Sequence, residues 1–413
     1  MIHALCYLLL ALSLASILFE EHIHLSKAKA TLFLGTLGWI LLWIFPEGFG
    51  GPAAVKEAFE GYILDISSLW LFLLATMTFV AYLNSQGFID ALVHRWLPLR
   101  LSQRKLLLIV ALFAFAFSSF ADNMTATLVC MSLVMSLPLT PAHRIRFAVL
   151  TVFAINSGGV AMITGDVTTL MIFLAGKLSI TSIMALSLPG LLGVLTLYLL
   201  MLPGMDRVLE LSPPRNTPSR RDWLIAGIFA ATLACTITGS LLFALPPLLV
   251  FLWGMSVMFL AGWAMGMDTD DNLLDYIRAI EFETLLFFLG VLLLVGLARE
   301  LGVLDIIPAL YANLPPAAAN YTMGLMSALI DNVPMTAALL KSGVGMDTSG
   351  WLGMTYAIGV GGSLLAIGSA AGIVAMSKLK GLTFMAWLRL SPLVLVAYSA
   401  GFALACQIGA VLQ

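Results

Sequence analysis

Apolar segments long enough to cross a lipid bilayer follow one another along almost the whole chain. A transmembrane helix needs about 20 mostly apolar residues. The 413 residues are 61% hydrophobic and only 10% charged, whereas soluble domains carry about 25% charged residues. The sequence therefore predicts an all-α, polytopic membrane protein. The apolar segments are 2–19, 29–45, 68–86, 106–138, 147–176, 183–203, 223–243, 246–266, 284–298, 303–341, 351–377 and 385–411.

Several classes of protein and site are disfavoured by the same composition. Long basic arms and acidic tails are absent, so we do not expect a nucleic-acid partner. The four cysteines lie singly in apolar segments, which indicates neither a disulfide framework nor a zinc site. His22 and His24 could bind a metal together, but their H-x-H spacing is a weak signal and an interfacial position is favoured. No cofactor is expected.

Two of the apolar segments are too long for one span, and each carries an Asp-Asn pair near its centre. The pairs lie in SSFADNMTATL (118–128) and SALIDNVPMTA (327–337). The basic loops 95–105 and 143–146 flank the first long segment, and the positive-inside rule places both in the cytoplasm. A simple span cannot join them. We therefore predict a re-entrant hairpin over 106–138, and a second over about 317–341.

Three landmarks recur in the same order in the two halves of the chain. Gly87-x-x-Asp90 matches Gly302-x-x-Asp305, and the Asp-Asn pairs match each other. AINSGGVAMITGD (154–166) matches AIGVGGSLLAIGS (357–369). We predict repeats over 1–204 and 223–413, joined by a cytoplasmic linker at 205–222. Each repeat would hold five crossings and one hairpin, so the second repeat would be inverted, which is typical of transporters.

Asp122, Asp166 and Asp331 are the acidic residues deepest in apolar sequence. A charge at the bilayer centre costs several kcal/mol, and such residues usually mark ion or proton pathways. A carboxylate that accepts either a proton or a sodium ion has the minimum chemistry needed for exchange. Thr125 adds a hydroxyl group at the first tip. For Asn123 and Asn332, capping of the returning helix is the alternative to ion binding.

Polar residues also interrupt the apolar segments 147–176 and 351–377, which predicts two broken helices. Side-chain oxygens of Asn156, Ser157, Thr164, Asp166 and Thr168 suit Na⁺ or Li⁺ rather than a soft metal. The second copy has Ser369 in place of Asp166, so the first half is the richer site, with Na⁺ expected at Asp122, Asn156 and Asp166. Close helix packing is the alternative role for the glycines. The glycines predicted to lie at hinges or in unwound backbone are Gly158, Gly159, Gly165, Gly361, Gly362 and Gly368.

At these residues the chain resembles an NhaD-type sodium/proton antiporter of the ion transporter superfamily. The resemblance rests on ADNMTATL (121–128), NSGGVAMITGDVTTLM (156–171) and IDNVPMTAAL (330–339). It implies a scaffold domain, a moving transport domain of two hairpins and two unwound helices, a homodimer, and elevator-like alternating access. The superfamily's anion carriers typically have Ser-Asn-Thr at the hairpin tips, so the Asp-Asn pairs argue for cations.

The function expected is secondary transport rather than catalysis. Intracellular Na⁺ or Li⁺ would leave in exchange for external H⁺, across the inner (plasma) membrane of a bacterium. An anion carrier for arsenite or a dicarboxylate is the main alternative, although no tip residue is basic. An intramembrane aspartyl protease would explain two aspartates. That chemistry needs a GxGD motif, and Ile163 occupies its first glycine position.

Overall fold

A computed structural model describes residues 2–18, 25–88, 100–210, 219–243, 245–265, 276–278, 280, 282–379 and 381–412. Asp90, His22 and His24 lie outside the described residues, as do parts of the basic loop 95–105 and of the linker 205–222. The first landmark of the predicted repeat, Gly87-x-x-Asp90, therefore has no complete structural counterpart.

Almost all of the described chain with regular structure is helical. The only exception in these ranges is a short antiparallel pair, β1 (Arg100–Ser102) with β2 (Val208–Glu210), in which Leu101 pairs with Leu209. This agrees with the all-α class predicted from hydropathy. The α-helices are α1 (Ile2–Leu18), α2 (Lys27–Ile44), α3 (Pro52–Ser85), α4 (Gln103–Ser118), α5 (Asn123–Ser136), α6 (Pro141–Gly159), α7 (Val167–Leu174), α8 (Ile180–Met184), α9 (Ser187–Met201), α10 (Arg220–Phe243), α11 (Pro247–Ala264), α12 (Phe282–Glu300), α13 (Ile306–Asn313), α14 (Pro316–Ser327), α15 (Asn332–Lys341), α16 (Thr348–Gly361), α17 (Ala370–Lys378), α18 (Phe384–Leu388) and α19 (Ser391–Val411), with 3₁₀ turns at Pro46–Phe49, Val303–Asp305 and Gly362–Leu364.

The order of long and short helices in α4 to α9 recurs in α14 to α19. In each set, two helices joined by a four-residue link precede a helix that breaks, and a short helix then leads into a long one. The links are 119–122 and 328–331, and the breaks are 160–166 and 362–369. Both links and both breaks fall where the sequence places the polar residues.

The first helix pair begins and ends at the same end of the molecule. Arg104, at the start of α4, donates from Nε to the Met205 carbonyl (3.1 Å). Arg144, near the start of α6, donates from Nη2 to the carbonyl of Leu137, the residue that follows α5 (3.2 Å). Arg146 donates from Nη1 to the Pro203 carbonyl (2.6 Å). The chain therefore enters and leaves the α4–α5 pair beside residues 201–205.

Helices α2, α3 and α12 pack together, and we call them the frame. The Trp39 indole on α2 donates to the Leu293 carbonyl of α12 (2.9 Å), and the Trp70 indole on α3 donates to the Leu285 carbonyl (2.7 Å). Trp39 is buried and Trp70 half-buried, and indoles in such positions satisfy their N–H while filling apolar space. The frame lies against α5, α7, α15 and α17 across the cavity described below.

Five helical stretches in the described ranges are long and apolar enough to cross a membrane. They are Pro52–Leu83, Ile180–Met201, Arg220–Gly239, Pro247–Ala264 and Ser391–Val411. A sixth results if α12 and residues Val303–Asn313, which bend by 80°, are taken as one span. On α11, Trp253, Leu260 and Trp263 are each at least 60% exposed. An apolar exterior of this kind suits lipid and agrees with a multi-pass membrane protein.

Candidate functional site

A cavity of about 640 Å³ lies between the frame and helices α5, α7, α15 and α17. Asp122, Asp166 and Asp331 all line it, and each is less than 10% exposed. The wall supplied by the frame is apolar apart from Glu283, which accepts a hydrogen bond from Ser26. Lysine, arginine and histidine are absent from the lining among the described residues. The cavity therefore presents three aspartates on one side and, on the other, a surface that is apolar apart from Glu283.

Asp122 caps the returning helix of the first pair. Its Oδ1 accepts from the backbone N–H groups of Met124 (3.1 Å) and Thr125 (3.0 Å), and the Thr125 hydroxyl donates to Oδ2 (2.6 Å). An N-cap carboxylate satisfies N–H groups that the helix itself leaves unpaired. The carboxylate thus has a structural partner on each oxygen.

Asp331 has the equivalent position in the α14–α15 pair, where it caps α15. Its Oδ1 accepts from the backbone N–H of Val333 (3.1 Å) at the start of α15, and Pro334 occupies the first turn of that helix. Proline fits there because the first-turn N–H groups have no partner within the helix. The idea that Asn123 and Asn332 are the caps is wrong, because the aspartates hold those positions.

The two hairpin asparagines instead meet at Asp166. Asn123 Nδ2 donates to Asp166 Oδ2 at 3.1 Å, and Asn332 Nδ2 donates to the same oxygen at 3.3 Å. The other oxygen, Oδ1, accepts from the backbone N–H of Thr168 (2.9 Å) and so caps α7. One carboxylate therefore joins both hairpin tips to the first broken helix. Such neutral N–H donors stabilise a carboxylate without cancelling its charge.

Asn156 lies away from this junction. It is fully buried at the end of α6, and its Nδ2 donates to the hydroxyls of Ser363 (3.1 Å) and Ser369 (3.0 Å) in the second break. Its Oδ1 has no hydrogen-bond partner among the described residues. Asn156 does not line the cavity. Of Asn156 and its two serine partners, only Ser369 lies in the cavity wall.

The remaining predicted site residues have separate surroundings. The Thr164 hydroxyl donates to the Ser119 carbonyl (2.8 Å) and ties the first break to the first hairpin tip. Ser157 is fully buried, and its hydroxyl has no hydrogen-bond partner among the described residues. The described residues contain no group of three or more His, Cys, Asp or Glu side chains close enough to hold one metal ion. The three aspartates therefore share a cavity but not one compact cluster.

The glycines separate into two groups. Gly158 and Gly159 end α6, and Gly361 ends α16, so their backbone is helical rather than unwound. Gly362 lies in a 3₁₀ turn, and only Gly165 and Gly368 lie outside helical backbone. A Cβ on Gly158 would lie 2.0 Å from the Phe115 carbonyl oxygen, and one on Gly361 would lie 2.2 Å from that of Gly324. Close packing on the hairpins, not unwinding, accounts for these two residues.

The two breaks contact the hairpin tips in the same way. A Cβ on Gly165 would lie 2.3 Å from the Ser118 carbonyl oxygen, and one on Gly368 would lie 2.6 Å from that of Ala328. Ser118 is the last residue before the first link, and Ala328 is the first residue of the second link. Both halves thus bring a glycine of the broken helix against the backbone of a hairpin tip.

Comparison with known proteins identifies the family. Residues 7–372 match the model of the citrate transporter family. The chain is 30% identical to the Na⁺/H⁺ antiporter NhaD of Vibrio cholerae, over 95% of this chain and 88% of that protein. The chain belongs to the citrate transporter family and is of the NhaD type. It is also 29% identical to NhaD of Alkalimonas amylolytica, over 96% and 89% of the two chains. Against sodium/proton antiporter 1 of Arabidopsis thaliana the identity is 30%, over 96% and 71%.

These relatives confirm the NhaD-type resemblance drawn from the three motifs, and their names are those of transporters rather than enzymes. In this NhaD-type chain the sequence patterns did not identify several residues of the polar network. Ser118 donates to Asn123 Oδ1 (2.9 Å), and Ser363 accepts from Asn156. Glu283 lines the cavity although it lies near a segment end. Aligning the two repeats could have found Ser118, because it and Ser327 each lie four positions before a hairpin aspartate.

Proposed function

We propose that the protein is a secondary transporter that exchanges intracellular Na⁺ or Li⁺ for external H⁺. The cation and the proton compete for Asp122, Asp166 and Asp331. Release of a proton gives each carboxylate the charge that a hard cation needs, and uptake of a proton expels the cation. The relatives named as Na⁺/H⁺ antiporters support this exchange.

One observation carries the proposal. Three nearly buried carboxylates line a single cavity whose described lining contains no basic side chain. Buried carboxylates are costly in a membrane, so a function that needs them is the simplest explanation. Amide and hydroxyl oxygens nearby are further hard ligands for an alkali cation. Because the aspartates do not form one cluster, the ion would bind at one aspartate at a time, such as Asp166 with its neighbours, rather than be coordinated by all three at once.

The transport mechanism we infer is elevator-type alternating access. In this mechanism α4–α7 and α14–α17 move as one unit against the frame and carry the site from one side of the membrane to the other. The recurring helix order and the matched glycine contacts support two structural repeats. The common location of the two ends of the α4–α5 pair supports a re-entrant hairpin. An odd number of crossings in each repeat would invert the second repeat.

The setting we propose is the inner membrane of a bacterium, with the arginine-rich end of α4 and α6 in the cytoplasm. We further propose a homodimer that associates through the scaffold domain. The oligomeric state can be measured by light scattering of the detergent-solubilised protein, with the mass of bound detergent subtracted. A monomer at all protein concentrations would contradict the dimer without affecting the exchange reaction.

An anion carrier is the alternative that the citrate transporter family name suggests. A citrate, dicarboxylate or arsenite site needs positive charge or a set of neutral N–H donors. In this cavity the amide N–H groups of Asn123 and Asn332 already bind Asp166. A multiply charged anion would also meet three carboxylates at close range. The lining therefore favours a cation.

The proposal can be tested with purified protein in proteoliposomes that carry an imposed pH gradient. NaCl, LiCl or KCl is added outside, and a dye follows the lumenal pH. We expect Na⁺ and Li⁺ to collapse the gradient and K⁺ to have little effect. Asp166→Asn should abolish the response, because its amide can be neither protonated nor negatively charged.

The control is Asp206→Asn, which changes an exposed aspartate that pairs with Arg104 far from the cavity. This variant should behave as wild type. If folded wild-type protein gave no response to Na⁺ or Li⁺ between about pH 7 and 10, the antiport proposal would be wrong. Uptake of citrate, a dicarboxylate or arsenite would then be measured next.

A further inference from the structure

The two hairpin asparagines look equivalent in sequence but have different hydrogen bonds. Both use Nδ2 to donate to Asp166 Oδ2. Only Asn123 has a described partner for its Oδ1, which accepts from the Ser118 hydroxyl at 2.9 Å. The described residues offer no hydrogen-bond donor to Asn332 Oδ1. Both asparagines line the cavity.

The orientation of Asn123 follows from its two neighbours. A carboxylate can only accept hydrogen bonds, so Asn123 must turn its N–H toward Asp166. The Ser118 hydroxyl then completes the arrangement by donating to the amide oxygen. With the amide reversed, its oxygen would face the carboxylate oxygen and the two would repel. Ser118 is fully buried at the end of α4, whereas Asn123 is half-buried and lines the cavity.

Ser327 has the equivalent position at the end of α14 but a different partner. Its hydroxyl donates to the Ile358 carbonyl in α16 (2.9 Å), and it too is fully buried. Among the described residues, no serine therefore engages the asparagine of the second hairpin. Asn332 is 4% exposed and lines the cavity beside Asp166, and no hydrogen bond from a described residue reaches its oxygen.

We propose that Ser118 is a positioning residue that fixes Asn123 as a hydrogen-bond donor to Asp166, and that Asn332 is the hairpin asparagine whose oxygen binds the transported cation. This inference rests on the proposed Na⁺/H⁺ exchange. Asn123 then shapes the site without contacting the ion. The amide oxygen that binds the cation therefore comes from Asn332 in the second half, whereas Asp166 comes from the first half.

The first test compares Ser118→Ala with the matched control Ser327→Ala in the proteoliposome assay. Loss of one buried hydrogen bond corresponds to a change of about two- to tenfold in an equilibrium constant. Ser118→Ala should raise the KM for Na⁺ and for Li⁺ by that factor and leave kcat within about twofold of wild type. Ser118→Thr keeps the hydroxyl and should restore both KM values. Ser327→Ala should leave them unchanged.

The second test measures the ratio of the KM values for Na⁺ and Li⁺. Removal of a ligand affects two ions of different radius unequally, whereas removal of a positioning residue affects them alike. Asn332→Ala should change the ratio, while Asn123→Ala and Ser118→Ala should raise both values in proportion. Thermal unfolding of each variant in detergent separates these effects from misfolding.

Equal effects of Ser118→Ala and Ser327→Ala would overturn the inference, as would a changed ratio in Asn123→Ala. Failure of the exchange proposal gives a different result, because wild-type protein itself would then show no Na⁺ or Li⁺ response. The two failures are therefore distinguishable in one set of vesicles.

Discussion

At the scale of single residues, Asp122 combines a structural role with a proposed functional one. Its carboxylate caps α5 through two backbone N–H groups and also lines the cavity. A cap alone does not need the charge, because asparagine and aspartate are about equally good at this position. The charge and the cap can therefore be separated by substitution.

Asp122→Asn should keep the cap and lose the exchange reaction. We expect an almost unchanged Tm together with loss of the Na⁺-driven pH response. Asp122→Ala removes the cap as well and should also lower stability by about 0.5–2 kcal/mol. The control is Asp347→Asn, which alters an exposed cap at the start of α16 and should retain activity. Full exchange by Asp122→Asn would mean that this residue is only a cap.

At the scale of helices, the contacts between each broken helix and its hairpin depend on glycine. In both halves the backbone carbonyl of the hairpin helix occupies the place where a Cβ would stand, at Gly158 and at Gly361. Small residues at helix interfaces are a common way to bring membrane helices together. Here the close approach lies between the helices that carry the hairpin tips and those that lead into the breaks.

Gly158→Ala should therefore separate α6 from α4 and disturb the site. Overpacking of this kind costs typically about 1–3 kcal/mol, and we expect a lower Tm and a reduced rate of exchange. Gly361→Ala should act in the same way on α16 and α14. Gly227→Ala is the control, because a Cβ there has no neighbour within 4 Å and alanine favours a helix. A wild-type Tm in Gly158→Ala would contradict the packing argument.

At the scale of the whole molecule, the proposed mechanism requires α4–α7 and α14–α17 to move against the frame. The Lys341 ammonium on α15 lies 4.6 Å from the centre of the Tyr62 ring on α3. Both residues line a second cavity of about 290 Å³ that contains none of the three aspartates. This contact joins the two parts and would have to separate during transport.

Cross-linking these positions should therefore stop exchange. In a background without the four native cysteines, the double variant Tyr62→Cys with Lys341→Cys is treated with a flexible thiol-reactive cross-linker. We expect loss of the Na⁺-driven response after treatment, whereas each single variant should remain active. Unchanged exchange by fully cross-linked protein would exclude movement between α3 and α15.

Competition between ions gives a second prediction for the whole transport cycle. If one proton and one cation exclude each other, the apparent KM for Na⁺ rises tenfold for each unit that the pH falls while the site is mostly protonated. The apparent KM for Na⁺ should become constant at high pH, where no proton has to be displaced. Initial rates over a range of Na⁺ concentrations and pH values measure this dependence. A KM independent of pH would contradict competition at one carboxylate.

Much of the local structure could be predicted from the sequence because its causes are local. The apolar segments, the turns at Asp122 and Asp331, and the breaks before Asp166 and Ser369 depend on residues close together in the chain. Helices α4–α5, α6–α7, α14–α15 and α16–α17 lie over the segments for which hairpins and broken helices are predicted, and re-entry of the two hairpins stays a prediction. The helical state of Gly158 and Gly361 was missed, since glycine permits unwinding but does not require it.

The sequence by itself determined the helical membrane class, the polar positions within apolar segments, and the family resemblance. Only the tertiary structure decided which polar groups meet. Asn123 and Asn332 come from hairpins far apart in the chain, yet both donate to Asp166. Asn156 points instead to two serines of the other half. Helix starts and breaks follow from neighbouring residues, whereas these contacts depend on how whole helices pack, which no local pattern specifies.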